Sequence, residues 1–310
     1  MASASQRSAA TPFPLLFANA ITSGYRKEGT VASPGDIIVF DRHIVALRRR
    51  RAAADFAAHA FLHEEIARRL LERLADVNRV FPRALALGLS LNERPGGEQI
   101  ISGPPSPAPQ LLFDEEALPF APASLDLIVS NLALHWVNDL PGALLQIRQT
   151  LRPDGLFLGA LLGGDTLKEL RQAFLEAEAM VEGGASPRVS PFADVRTLGG
   201  LMQRAGFALP LVDVDTLTVS YADAFALMRD LRGMGETNAH VGRRKSFSRR
   251  QTLKAMAEIY RERFGGADGR IPATFQVIYL TGWAPHDSQP KPLKPGSAQM
   301  SLTEVLGGKR

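Results

Sequence analysis

Three short apolar runs, Ala84–Leu89, Leu125–Ser130 and Gly155–Leu162, constrain this chain more than any other feature of its sequence. None alternates polar with apolar residues along its whole length, as a half-exposed strand would. A strand with no polar face has to be covered on both sides. Segments that read as helices stand between and after these runs, near 139–151 and 165–182. Strands alternating with helices build a mostly parallel sheet between two helical layers. Upstream, Phe56, Ala60, His63, Ala67, Leu70 and Leu74 recur every three or four residues, which predicts one long helix over 44–75.

Downstream, Ser190-Pro191 reads as an N-cap followed by proline at the first helical position, and Gly206 ends that helix near 205. A strand near 211–219, helices near 222–232 and 248–264, and a last strand over Thr274–Thr281 complete the pattern. The expected fold is α/β. It is a Rossmann-like sheet with a long N-terminal helix, helical insertions before the last strand, and that strand antiparallel. Residues 1–38 and 284–310 read as a leader and a tail, punctuated by Pro, Gly and Ser. The domain would then run over 39–283, with its helical insertion at about 222–265. The leader's first 29 residues are rich in Ser and Ala, carry three basic residues and have Glu28 as their one acid, a composition shared by organelle transit peptides and by unstructured leaders.

Composition removes several kinds of chemistry. With no cysteine in 310 residues, disulfides, thiolate zinc sites, Cys-ligated clusters and cysteine nucleophiles are all excluded. A net charge of +4 does not select a nucleic acid. The basic runs Arg48–Arg51 and Arg243–Arg250 carry no series of stacking aromatics, so no nucleic-acid partner is expected. No H-E-x-x-H spacing occurs, and His59 and His63 lack a third ligand, so no metal is expected. No apolar stretch reaches the length of a membrane span, which leaves peripheral membrane association open.

The segment from Asp114 to Val137 holds the densest functional signal. It combines an acidic loop, a proline-fixed turn, a buried strand and the polar exit Ser130-Asn131. Ligands of open α/β sheets bind outside the carboxyl ends of the strands. Asp114 and Ser130-Asn131 fall there, and a carboxylate can accept hydrogen bonds from an adenine amino group. His135 beyond that strand is either a general base or a packed loop residue beside Trp136. Gly233-Met234-Gly235-Glu236 is either a lid carrying Glu236 toward a substrate or a helix C-cap with a solvated acid.

The run DEEALPF…LDLIVSNLALHWVNDLPGALLQIRQTLRPDGLFLGALLGGDTLKELR resembles class I S-adenosylmethionine (SAM) methyltransferases. The segments EGGASPRVSPFADV, LMRDLRGMGETN and DGRIPATFQVIYLTGW make it most similar, within that superfamily, to mitochondrial complex I assembly factors described as arginine hydroxylases. The resemblance implies SAM as cofactor, modification of a protein substrate (a complex I subunit), and a location in the mitochondrial matrix of a eukaryote or the cytoplasm of a bacterium. It places Gly88, Asp114, Glu115, Ser130 and Asn131 toward the cofactor, Trp136, Gly235 and Glu236 toward substrate or partner, and His135 and Glu236 as catalytic candidates.

One stretch departs from the superfamily pattern. Leu85-Ala86-Leu87-Gly88-Leu89-Ser90-Leu91-Asn92 keeps one glycine of the acid-x-G-x-G loop, and Ala86 stands where the acid is expected. No clear strand follows it to end in the ribose-holding carboxylate, for which Glu98 is the candidate substitute. Two further readings therefore stand beside the modifying enzyme. One is a catalytically silent assembly factor; the other is a carrier-protein or small-acid methyltransferase.

Overall fold

The computed structural model describes residues 38–88, 98–102 and 113–290. Six strands form one sheet: β1 (Arg83–Leu87), β2 (Glu98–Ser102), β3 (Leu125–Asn131), β4 (Leu151–Leu162), β5 (Ala208–Tyr221) and β6 (Ile271–Trp283). Their order across the sheet is β2-β1-β3-β4-β6-β5. The first four run parallel. The last strand in the chain, β6, is antiparallel to both neighbours and lies between β4 and β5. This is the Rossmann-like α/β architecture expected from the sequence.

Burial explains why the apolar runs do not alternate. On one face Leu127, Val129, Leu156, Leu158 and Val277 pack with Leu62, Ile66 and Tyr260. These come from α2 (Phe61–Ala75) and α7 (Arg250–Phe264). Successive side chains on a strand point to opposite faces. Ile128, Phe157, Ile278 and Leu280 therefore meet Leu144, Ile147 and Met202 on the other face. That layer is α3 (Leu140–Thr150) and α5 (Val195–Arg204). Truncating one such core leucine to alanine costs about 2–5 kcal/mol.

The single long helix predicted over 44–75 is two helices. α1 spans Arg42–Ala52, a 3-10 turn follows at Phe56–His59, and α2 begins at Phe61. No glycine or proline marks the break. It is tertiary in origin, because the His59 ring is held by Asp230 at 2.8 Å and lies against Gly233. Residues 190–194 are not helical either. Asp194 caps α5 by accepting from the Thr197 N–H, while Ser190 donates to Asn238 instead.

A strand does follow the altered loop. β2 was not apparent in the sequence because only Ile100 and Ile101 of its five residues are apolar. Its register pairs Glu98 with Arg83 and Ser102 with Leu87. Glu98 thus lies at the amino end of the parallel strands, remote from the edge where Gly88 sits. It is no substitute for a ribose-holding carboxylate. The remaining helices are α4 (Lys168–Glu182) and α6 (Ala224–Gly233). Residues 1–37, 89–97 and 291–310, which hold most of the expected leader, the altered loop beyond Gly88 and most of the tail, lie outside the described residues.

Candidate functional site

The carboxyl edge of β1, β3 and β4 is assembled from several short sequence segments. The GMGE turn is a helix cap that turns an acid inward. At the end of α6 the Glu236 N–H donates to the Leu231 carbonyl at 2.8 Å, and the Gly235 N–H to Arg232 at 3.1 Å. Gly235 has φ of 79°, so the pair of bonds forms a Schellman cap closed by a left-handed glycine. Glu236 then follows the cap into the interior rather than into solvent, and its side chain is 3% exposed.

There it meets the exit of β3. His135 donates from Nε2 to Glu236 Oε2 at 2.7 Å, and Trp136 donates from Nε1 to the same oxygen at 2.9 Å. The other oxygen faces His63 Nε2 at 3.8 Å, outside hydrogen-bond reach. Phe192 closes the group, with its ring edge-on to both His135 and Trp136. Burial pushes the Glu236 carboxyl up, but His135, His63 and Arg49 outweigh it and hold the group ionised, below the usual carboxylate range. Burial pushes the His63 imidazole down to about 4, against the pull of Glu236. The site therefore holds a buried anion beside a neutral imidazole.

The cofactor candidates lie on the adjoining part of the same edge. Gly88 has φ of 69°, and a Cβ there would run into the Asn131 carbonyl oxygen. This glycine is needed for the close approach of two backbones at the strand exits. Asn131 donates to the His63 carbonyl at 2.9 Å, which ties β3 to α2. Its Oδ1 and the Ser130 hydroxyl are buried and have no hydrogen-bond partner among the described residues. Leu132, the next residue, is held at φ of 50°. Orphaned polar atoms beside a strained backbone are a hallmark of a ligand edge.

Asp114 and Glu115 do not stand free. Arg42 donates to Asp114 at 2.6 Å, to Glu115 at 2.5 Å and to the Trp136 carbonyl at 3.2 Å. Arg49 reaches Glu115 at 2.9 Å. Burial raises the Glu115 carboxyl, yet Arg49 and Arg42 bring it below its ordinary value. Glu115 is thus a brace between α1 and the acidic loop, 13% exposed, whereas the Asp114 side chain is 54% exposed.

The structure thus joins His135, Trp136, Gly235 and Glu236 in one cluster and links them to Ser130 and Asn131 through His63. Asp114 and Glu115 connect to it through Arg42. Sequence reasoning missed Arg42, Arg49 and His63 as members. A histidine in an otherwise apolar stripe was the signal for His63; Arg49 is hidden in a basic run, and Arg42 stands alone ahead of it with no local mark. His59 and His63 face different acids, Asp230 and Glu236. Among the described residues, no group of His, Asp and Glu is arranged to hold a metal ion.

A cavity of about 690 Å³ opens above the cluster. Trp136, Glu236 and Phe275 line it, together with Arg48, Arg229 and Arg232. The SPF, GMGE and PATFQ segments meet around it. Ser190 donates to Asn238 at 2.8 Å, and Phe275 lies at the start of β6, which antiparallel pairing brings to the carboxyl edge of β4. Among the described residues, no helix is long and apolar enough to cross a membrane.

The sheet is of the Rossmann-like kind, and residues 88–210 match the methyltransferase domain family. The chain is 42% identical over 305 residues to the human protein named arginine-hydroxylase NDUFAF5, mitochondrial, covering 92% of this chain and 88% of that one. The zebrafish protein of the same name (Danio rerio) is 42% identical over 287 residues, covering 86% and 89%. A malonyl-[acyl-carrier protein] O-methyltransferase from Xylella fastidiosa (strain M23) is 35% identical over 270 residues, covering 80% and 89%. The chain belongs to the NDUFAF5 arginine-hydroxylase family of methyltransferase-fold proteins.

Proposed function

We propose that this chain is a SAM-binding enzyme that modifies an arginine side chain of a protein partner during assembly of respiratory complex I. The observation that carries this reading is Glu236. Its carboxylate is ionised, lines the 690 Å³ cavity, and has one oxygen engaged by His135 and Trp136 while the other takes no hydrogen bond from any described residue. A buried carboxylate with a free oxygen recognises a guanidinium, whose forked donors match it better than an ammonium does. The relatives' name supplies the same residue type, and the resemblance of the SPF, GMGE and PATFQ segments supplies the assembly context.

Gly88, Asp114, Ser130 and Asn131 fit the cofactor. The first gives the tight strand exit, Asp114 an exposed acceptor for an adenine amino group, and the last two their orphaned buried oxygens. When bound, SAM supplies an electrophilic methyl group. Glu236 orients the guanidinium, and Trp136 and Phe192 wall the group off from water. His135, with Nε2 committed to Glu236 and Nδ1 buried without a partner among the described residues, can accept a proton at Nδ1. Deletion of the gene should lower assembled complex I and its NADH–quinone activity, and Glu236→Gln should fail to restore them. Normal complex I in the deletion strain would sink the assembly reading.

A second reading, the catalytically silent assembly factor, draws on Ala86 at the expected acid and on β2, which ends at Ser102 rather than at a carboxylate. Titration of the full chain with SAM and its demethylated product separates the two. Saturable binding supports the enzyme, and none at millimolar ligand supports the scaffold.

A further inference from the structure

The mouth of the cavity carries more positive charge than the fold uses. Arg188 and Arg244 are paired with Glu178 and Glu182, and Arg243 with Asp41. These three brace the surrounding elements. Arg51, Arg229 and Arg232 line the same cavity and are exposed, and their side chains make no hydrogen bond or ion pair with any described residue. Arg48 donates to the carbonyls of Thr237 and Asn238, both neutral acceptors. Four guanidinium groups thus line the cavity without a hydrogen bond or ion pair to a carboxylate among the described residues, Asp41 being the one acid that acts on Arg48 from beyond contact. The acids that line the same cavity are Asp55, which contacts His59 at 3.5 Å, and Glu236.

Arg48 is half-buried, and burial first and the neighbouring Arg243 second bring its guanidinium below the ordinary arginine value, with Asp41 opposing them. Unpaired like charges around a concave site repel one another, and they focus a positive field along the approach to it. That field opposes the entry of an isolated arginine side chain, which is the group the Glu236 carboxylate suits. The two halves of the cavity are compatible when the incoming chain carries negative charge on either side of its arginine.

We infer that the cavity mouth, through Arg48, Arg51, Arg229 and Arg232, receives an acidic polypeptide segment whose Asp or Glu side chains flank the arginine presented to Glu236. This rests on the proposed reading of Glu236 as the arginine acceptor and adds the recognition of what surrounds that arginine. Carboxylate–guanidinium pairs are directional and bidentate, so they fix the register of the incoming chain as well as its charge. The pairing is partly exposed and weakens with salt.

The test uses the full chain and three labelled peptides in fluorescence anisotropy. One carries an arginine flanked by Asp and Glu, the second the same arginine flanked by Asn and Gln, and the third has the acidic flanks with citrulline for arginine. The acidic arginine peptide should bind about tenfold or more tightly than its amide counterpart at low salt. A double variant, Arg229→Glu with Arg232→Glu, should lose that preference while its melting temperature and SAM affinity stay unchanged, because both residues are exposed and apart from the cofactor edge. Arg51→Glu offers an independent check on the same ring. Equal binding of acidic and amide peptides, or a preference retained by the double variant, would overturn the inference. Displacement of the acidic peptide by heparin as effectively as by the unlabelled peptide would also overturn it, by showing a general polyanion surface. Equal binding of the citrulline peptide, unaffected by Glu236→Gln, would support the acidic mouth but remove Glu236 as the arginine acceptor.

Discussion

Asp114 and Glu236 are two acids at the same edge of one sheet, and they are held in opposite ways. Asp114 sits on an exposed loop, shares Arg42 with Glu115, and keeps half its surface in solvent. Glu236 is enclosed, with its partners His135, Trp136 and His63 drawn from two other elements. An exposed acid can be lost from the fold at little cost and still matter to a ligand. A buried one is tied to stability and chemistry together, so its removal tests both at once.

The largest effect should come from Glu236→Ala. It leaves the Trp136 and His135 donors buried without an acceptor, and should lower stability by roughly 3–5 kcal/mol in denaturant titration. A loss within experimental error would mean that the cluster is far more solvated than its burial indicates.

Lowering pH probes the same cluster without mutation. His63 is held neutral, with its folded value at about 4 against an ordinary 6.5. The unfolded chain therefore binds the extra proton first. The stabilisation is complete above pH 6.5 and is lost as pH falls toward 4, by roughly 3 kcal/mol. His63→Gln should flatten stability across that window. An unchanged pH profile would show that His63 is not buried beside the acid.

A smaller effect belongs to the backbone that turns Glu236 inward. Gly235→Ala forces a side chain into the left-handed region against Arg49, and should cost about 1–2 kcal/mol. Smallest in stability is Asp114→Asn, an exposed change expected to stay within about 0.5 kcal/mol. Its signature is elsewhere: SAM affinity should fall by about 1.5–3 kcal/mol in calorimetry if this carboxylate accepts the adenine amino group. Unchanged affinity would remove Asp114 from the cofactor edge and make both acids structural.

The sequence displays the sheet well because its strands are buried on both faces, and that burial writes continuous apolar runs such as Leu127–Val129. It displays β2 poorly, since an outer strand of five residues with two isoleucines carries little such pattern. The break between α1 and α2 leaves no local mark, because His59, Asp230 and Gly233 create it from 171 residues away. The site was legible in its residue types and not in its contacts. His135 and Glu236 are 101 residues apart, so a turn that reads equally as a solvated cap or a lid is resolved by what packs against it. The arginines that brace Asp114 and Glu115 were hidden for the same reason: Arg49 lies inside a run that looks like a solvated basic face, and Arg42 stands 72 residues from Asp114.

The most direct test of the account is mass spectrometry of the arginines in complex I core subunits from cells with and without this chain. Arginine modification at one site should disappear in the deletion strain, return with the wild-type chain, and stay absent with Glu236→Gln expressed at matched level and folded by thermal melt. An arginine profile identical in all strains, or full restoration by Glu236→Gln, would contradict a site in which the buried carboxylate presents arginine for modification.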